Sequence, residues 1–147
     1  MQLQLTSFEQ AKALKDAGFD WSVDEYFKQY VGSEIIHEDF IEGGEKYCCN
    51  SLDNEVMLFY CRPTVALALK WLRDVKWVHC FIGMDREDDK IVWYMVTQMN
   101  IAAPNSVVIT THIKHVTDGD VYFSPIQYFA THDLAESAGL DKGLKMI

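Results

Sequence analysis

No apolar run in this sequence approaches the roughly 20 residues that a bilayer crossing requires. Basic residues are sparse, 13 against 22 acidic ones, which gives a formal net charge of −9 over 147 residues. That balance opposes unspecific binding to phosphate backbones and anionic lipid, so a nucleic-acid reader is disfavoured and no membrane association is expected. A charged-then-apolar leader is missing as well. Met1 to Leu5 pass straight into a helix cap, which predicts a cytoplasmic protein. Neither GxxxxGK[ST] nor GxGxxG after a strand occurs, leaving nucleotide binding by those routes without support. The four cysteines, Cys48, Cys49, Cys61 and Cys80, include no CxxC turn, so no structural zinc site is indicated. Without a secretory signal, free thiols are expected over a disulfide framework, with Cys61 and Cys80 as small buried side chains.

What the chain does have is apolar surface. Apolar residues make up 49% and aromatics 13%, ample to offset the entropy lost on folding a chain of this length. No repeat, low-complexity tract or linker-like shift of composition divides it, so one domain over residues 1–147 is expected.

Local patterns fill in the elements. Thr6 with Glu9 reads as a capping box, with Ser7 and Gln10 as an alternative shifted by one residue. The helix behind it carries Phe8, Ala11 and Leu14 on one stripe and stops at Gly18. Strands are predicted at Glu25 to Val31, Ile35 to Ile41 and Val56 to Tyr60, read as an antiparallel meander. A second helix is predicted from Pro63, a residue suited to the first helical position, to about Val75. Apolar side chains surround most of that helix, which places it at the centre of the core with Lys70, Arg73 and Asp74 at its wet edge. Lys76 extends this basic edge, which complements the helix dipole.

Trp77 to Ile82 and Ile91 to Met99 form a predicted hairpin around a charged loop, Asp85 to Lys90. Val107 to His115 and Val121 to Ser124 form another around Asp118-Gly119. Thr131 caps a last helix in which Asp133 and Glu136 meet the dipole and Gly139 and Gly143 require tertiary packing to hold them. Clustered strands and few helices predict an α+β fold, an antiparallel-dominated sheet of five to seven strands packed against two or three helices.

Candidate chemistry is thin. His112 and His115 stand three apart on a predicted strand and point to opposite faces, so neither they nor His79 share a metal ion readily with the cysteines. Cys48-Cys49 beside Lys46 offers thiols, but adjacent residues on an extended chain diverge and no histidine can be tied to either. No catalytic residue, metal or cofactor is therefore assigned. Two acidic stretches, Glu34, Glu38, Asp39, Glu42 and Glu45, then Asp85, Glu87, Asp88 and Asp89, form a candidate partner surface that would steer a basic partner. Ordinary surface charge explains the same residues. Trp77, Trp93, Tyr94, Tyr122, Phe123, Tyr128 and Phe129 gather on or beside the hairpins, where core packing accounts for most and an interface with a protein or a second copy for any that emerge together.

Three segments, LTSFEQAKALKDAGFDW (Leu5 to Trp21), PTVALALKWLRDV (Pro63 to Val75) and THDLAESAGLDKGLKMI (Thr131 to Ile147), carry a resemblance. They are similar to small proteins encoded by phages and prophages of Bacteroidetes, a family without known function, whose patterns run SFExAKxLKxxGF, APTxxxALKWLRE and TYEEAxxAGIxEALKLI. The chain departs from them at Cys61-Arg62, at His132-Asp133 and in the hairpin from Val107 to Phe123. The resemblance implies a phage-borne protein and carries no catalytic or binding residues over; the function expected is a non-enzymatic accessory protein in a bacterial cytoplasm that binds another macromolecule, such as a host protein. The alternatives are a small enzyme or ligand-binding domain whose site is assembled from scattered residues, and an acidic mimic of nucleic acid.

Overall fold

The computed structural model describes residues 3–42, 46–87, 90–100, 108–110, 115–117, 120–122 and 128–147. Among the described residues the chain is α+β with three helices and antiparallel strand pairing. It divides into two compact units, Met1–Trp71 and Leu72–Ile147.

In the first unit, helix α1 (Phe8–Asp16) starts one residue later than the Thr6 cap predicts. Ser7 is the N-cap, accepting from the Gln10 amide at 3.2 Å while Gln10 Oε1 accepts from the Ser7 amide at 3.1 Å. The shifted box prevails because the Thr6 backbone amide, which the Glu9 carboxylate would have to reach, is taken. Thr6 is fully buried, and its amide donates to the Pro63 carbonyl at 3.0 Å, beside a bridge between Leu5 and Thr64. Gly18, at φ 87°, ends the helix as expected, and the Phe19 amide returns to the Leu14 carbonyl at 2.9 Å.

Strands β1 (Glu25–Tyr30), β2 (Ile36–Phe40) and β3 (Met57–Cys61) all form, in the spatial order β2-β1-β3. This corrects the meander, in which β3 would lie beside β2. Burial decides the order. Phe27 of β1 and Tyr60 of β3 are cross-strand partners, and together with Ala11 they form a buried cluster onto which Phe8 and Leu58 pack. Phe8 stands edge-on to both rings, at 5.5 and 5.0 Å, and each large side chain so buried contributes about 1.5–3 kcal/mol. The β2 sequence IHEDF has no comparable apolar set, so it takes the outside position.

Helix α2 spans Val65–Lys76, and the division between the units falls within it. Pro63 precedes the cap instead of opening the helix. Thr64 Oγ1 accepts from the Leu67 amide at 3.1 Å, so the hydroxyl takes the capping place. The helix is also less enclosed than its composition suggests. Val65, Ala68, Trp71 and Leu72 are buried, whereas Ala66 and Val75 join Lys70, Arg73 and Asp74 in solvent. Within the first unit the Trp71 ring lies 5.4 Å from that of Phe19, and its Nε1 donates to Asp20 at 3.3 Å.

In the second unit, β4 (Val78–Glu87) and β5 (Lys90–Asn100) pair continuously from Val78↔Met99 to Glu87↔Lys90. Asp85 and Glu87 therefore belong to a strand and not to the charged loop expected there. The other edge of β5 takes β6 (Val108–Thr110) and β9 (Tyr128–Phe129). A two-stranded ribbon, β7 (His115–Thr117) with β8 (Asp120–Tyr122), stands where the second hairpin was expected, although its first strand is shorter and begins later. Among the described residues the largest sheet has four strands, so the expected five to seven do not join in one sheet.

Helix α3 (His132–Leu144) packs on β4 and β5. Thr131 caps it, accepting from the Leu134 amide at 3.2 Å. Its buried side is a stripe of small residues, Ala135, Gly139 and Gly143, with Leu140. Cys80 donates its thiol proton to the Gly139 carbonyl at 3.2 Å, which supplies the packing those glycines need.

Candidate functional site

The β1–β2 hairpin and its surroundings hold the first acidic stretch. β2 pairs with β1 alone among the described residues, so its outer edge is unpaired there. Along it Ile36, Glu38 and Phe40 share one face by strand alternation, and His37 and Asp39 the other. Phe40 is 62% exposed, and Val31, Ile35 and Ile36 at the hairpin also meet solvent. Glu34 and Glu42 lie exposed at the two ends of this region.

Two of the candidate carboxylates are already engaged. Glu38 accepts from Arg62 at 2.8 Å, and the same guanidinium reaches Glu25 at 3.2 Å and lies 4.8 Å over the Phe27 ring. Asp39 is paired with Lys28. The Lys28 hydrogen bond holds the Asp39 carboxyl below its ordinary range, and the same bond raises the Lys28 ammonium. Tyr26 on the same face titrates above its ordinary value, first through burial and then through Asp39. The hairpin is thus apolar at its margin, with its charges partly compensated. Glu45, Asp88 and Asp89 lie outside the described residues, as do His112 and Phe123; Asp85 and Glu87 sit on β4.

A cleft of about 380 Å³ opens in the first unit. Leu5, Val23 and Leu67 supply apolar walls, and Asp24, Lys46 and Arg62 line it with charge. Lys46 is bound to Asp24 at 2.8 Å and Arg62 to two carboxylates, so both cations are neutralised within the protein. Thr64, also on the wall, spends its hydroxyl oxygen on the α2 cap.

The thiols behave differently from expectation. Cys48 and Cys49 do not diverge from a common neighbour: Cys61 Sγ lies 3.4 Å from each of their sulfurs. All four cysteines are in the thiol form. No protein-family model, curated protein or solved structure matches this chain.

A possible metal-ligand set that the sequence did not single out stands at the start of α3, where His132, Asp133 and Glu136 bring donor atoms within 4.8 Å of one another. Asp133 is exposed, and both carboxylates occupy the helix end that favours anions. His132 turns its ring edge-on to Trp93 at 5.0 Å, which accounts for its placement without an ion. Of the aromatic surplus, Trp77 is exposed at the start of the hairpin, while Trp93 and Phe129 are half-buried. Phe81 emerges instead, stacked on His79. Trp77 has φ 60°, a left-handed conformation that stops α2 and costs a non-glycine residue about 1 kcal/mol.

Proposed function

We propose that this chain is a non-enzymatic accessory protein that binds another protein by accepting an extended segment of it along the outer edge of β2. The exposed, singly paired strand with Phe40 and Ile36 on its surface carries this reading. Such an edge offers backbone donors and acceptors to an added strand, apart from the Phe40 amide, which donates to Asp39 at 2.9 Å, and the flanking apolar side chains supply contact area. Glu34 and Glu42 at the margins favour a partner segment that carries basic side chains. The resemblance to phage-borne proteins fits an accessory role toward a host protein in a bacterial cytoplasm. Among the described residues no helix is long and apolar enough to cross a membrane.

The small-enzyme alternative draws on the cleft, but its Lys46 and Arg62 are held by carboxylates and offer no free electrophile. The nucleic-acid mimic loses strength from the ion pairs of Glu38 and Asp39, since a mimic needs closely spaced uncompensated charge. The test is a tagged recovery from host lysate with wild-type protein and with the Phe40→Asp and Ile36→Asp variants, whose exposed positions leave the fold intact by circular dichroism. A protein recovered by the wild type, lost by both variants and weakened by added salt is expected. Equal recovery by the variants, or repeated recovery of nothing, overturns the proposal.

A further inference from the structure

Cys61 closes β3 with its side chain fully buried, and Cys49 is buried beside it. Two links hold the 47–50 segment against it. Tyr47 bridges to Val23, and the Asn50 side chain accepts from the Cys61 amide at 2.8 Å while donating to the Phe19 carbonyl at 2.8 Å. The Cys49 amide also donates to Cys61 Sγ at 3.2 Å. Cys61 sulfur is therefore fixed between two others, each 3.4 Å away. Forming a bond of about 2.05 Å to either requires an approach of about 1.4 Å, within reach of side-chain rotation. Cys48 alone of the three is partly exposed.

We propose that Cys48, Cys49 and Cys61 form a dithiol–disulfide relay that a small-molecule disulfide of the glutathione type oxidises, with Cys48 as the attacking thiol and Cys61 as the resolving one. Cys48 thiolate attacks glutathione disulfide, breaks its S–S bond, forms a mixed disulfide and releases one glutathione. Cys61 thiolate then attacks Cys48 Sγ, forms the Cys48–Cys61 bond and expels the second glutathione. The two protons of the cysteine thiols end on the two glutathiones, and two electrons pass from the protein to the oxidant. Cys49, in contact with Cys61, then attacks Cys61 Sγ, so the bridge moves inward to Cys49–Cys61 and Cys48 recovers a proton. The inner bridge joins two buried sulfurs and is shielded from external thiols.

Burial pushes the Cys48 thiol up to about 11, and its contact with Cys49 raises Cys61 further. The cluster therefore stays reduced at neutral pH on short exposure and oxidises faster as pH rises. Cys80, on β4, is the internal control.

The experiment incubates the folded chain with glutathione disulfide at mildly alkaline pH and follows it by intact mass and by peptide mapping under non-reducing conditions. Wild type is expected to lose two hydrogens without retaining a glutathione, and the map to show Cys61 joined to Cys49 and Cys48. Cys61→Ala is expected to stop at a mixed disulfide on Cys48, and Cys48→Ser to react at least about tenfold more slowly. A stable glutathione adduct on wild type, a bridge to Cys80, or no oxidation of the folded protein overturns the relay. The wild-type map decides the matter even where a buried variant fails to fold.

Discussion

Replacing Gly139 and Gly143 by alanine, one at a time, separates two positions that look equivalent in sequence. Both lie inside α3 on its buried stripe, and each substitution removes the intrinsic cost of a helical glycine, about 1 kcal/mol. Their surroundings differ. A Cβ at Gly139 meets Cys80 Cβ at 3.5 Å and Ile82 Cδ1 at 3.8 Å, which is ordinary contact. That methyl also leaves water, so Gly139→Ala stabilises by about 1–1.5 kcal/mol. A Cβ at Gly143 falls 2.8 Å from Leu72 Cδ1 and 3.4 Å from both Cys80 Sγ and Val78 Cγ1. Leu72 and Val78 are fully buried and have little room to move, and overpacking of this kind costs about 1–3 kcal/mol. Gly143→Ala therefore destabilises by about 1 kcal/mol after the propensity gain. The two variants should differ by about 2 kcal/mol, or about 4–8 °C in Tm for a chain of this size. Thermal unfolding by circular dichroism and urea titration read the difference. If Gly143→Ala unfolds at the same temperature as Gly139→Ala or above it, the packing of α3 on β4 described above is wrong.

Two further outcomes follow from the first unit. Arg62→Met keeps the aliphatic stem but removes the bonds to Glu25 and Glu38 and the stacking on Phe27; a loss of about 2 kcal/mol is expected, shrinking in concentrated salt because Glu38 is exposed, and a salt-independent loss measured by urea unfolding contradicts this account. Alkylation of Cys48 by iodoacetamide should accelerate about tenfold per pH unit and level off only near pH 11, where its thiol titrates, whereas a plateau near pH 8 in a mass-resolved time course refutes the burial argument. The sign for stability follows from the same shift. The folded thiol binds its proton more tightly than the unfolded one, whose ordinary value is 9.0, so stability is full below that value and declines as pH rises toward 11.

Much of the fold could be read locally. The helix at Phe8, the cap at Thr131 and the strands of the first unit follow from capping side chains and apolar spacing, which act over a few residues. Pairing partners could not be read that way. β3 returns to β1 because Phe27 and Tyr60 share a buried cluster under Phe8, and nothing in the order of three strands distinguishes this from a meander. Asp85 and Glu87 read as loop in sequence because a run of charge is compatible with both a turn and a strand. The thiol cluster was hidden for a related reason. Cys49 and Cys61 stand 12 residues apart, a spacing without a signature, and they meet through non-local links, among them the Asn50 side chain and the Tyr47–Val23 bridge. The acidic stretch of the hairpin was legible as charge, but not its ion pairs with Arg62 and Lys28, nor the apolar margin of Ile36 and Phe40 among which it sits.

The position of β1 between its two neighbours separates the residues that stabilise the unit from the edge for which partner binding is proposed. Side chains buried in the first unit come from β1, β3, α1, the start of α2 and the segments around Phe19 and Cys49, while β2 contributes backbone pairing and no buried residue. Substitutions at Ile36 and Phe40 can therefore accumulate without unravelling the unit that bears them. A chain arranged this way can vary that edge through successive generations while its framework stays as it was.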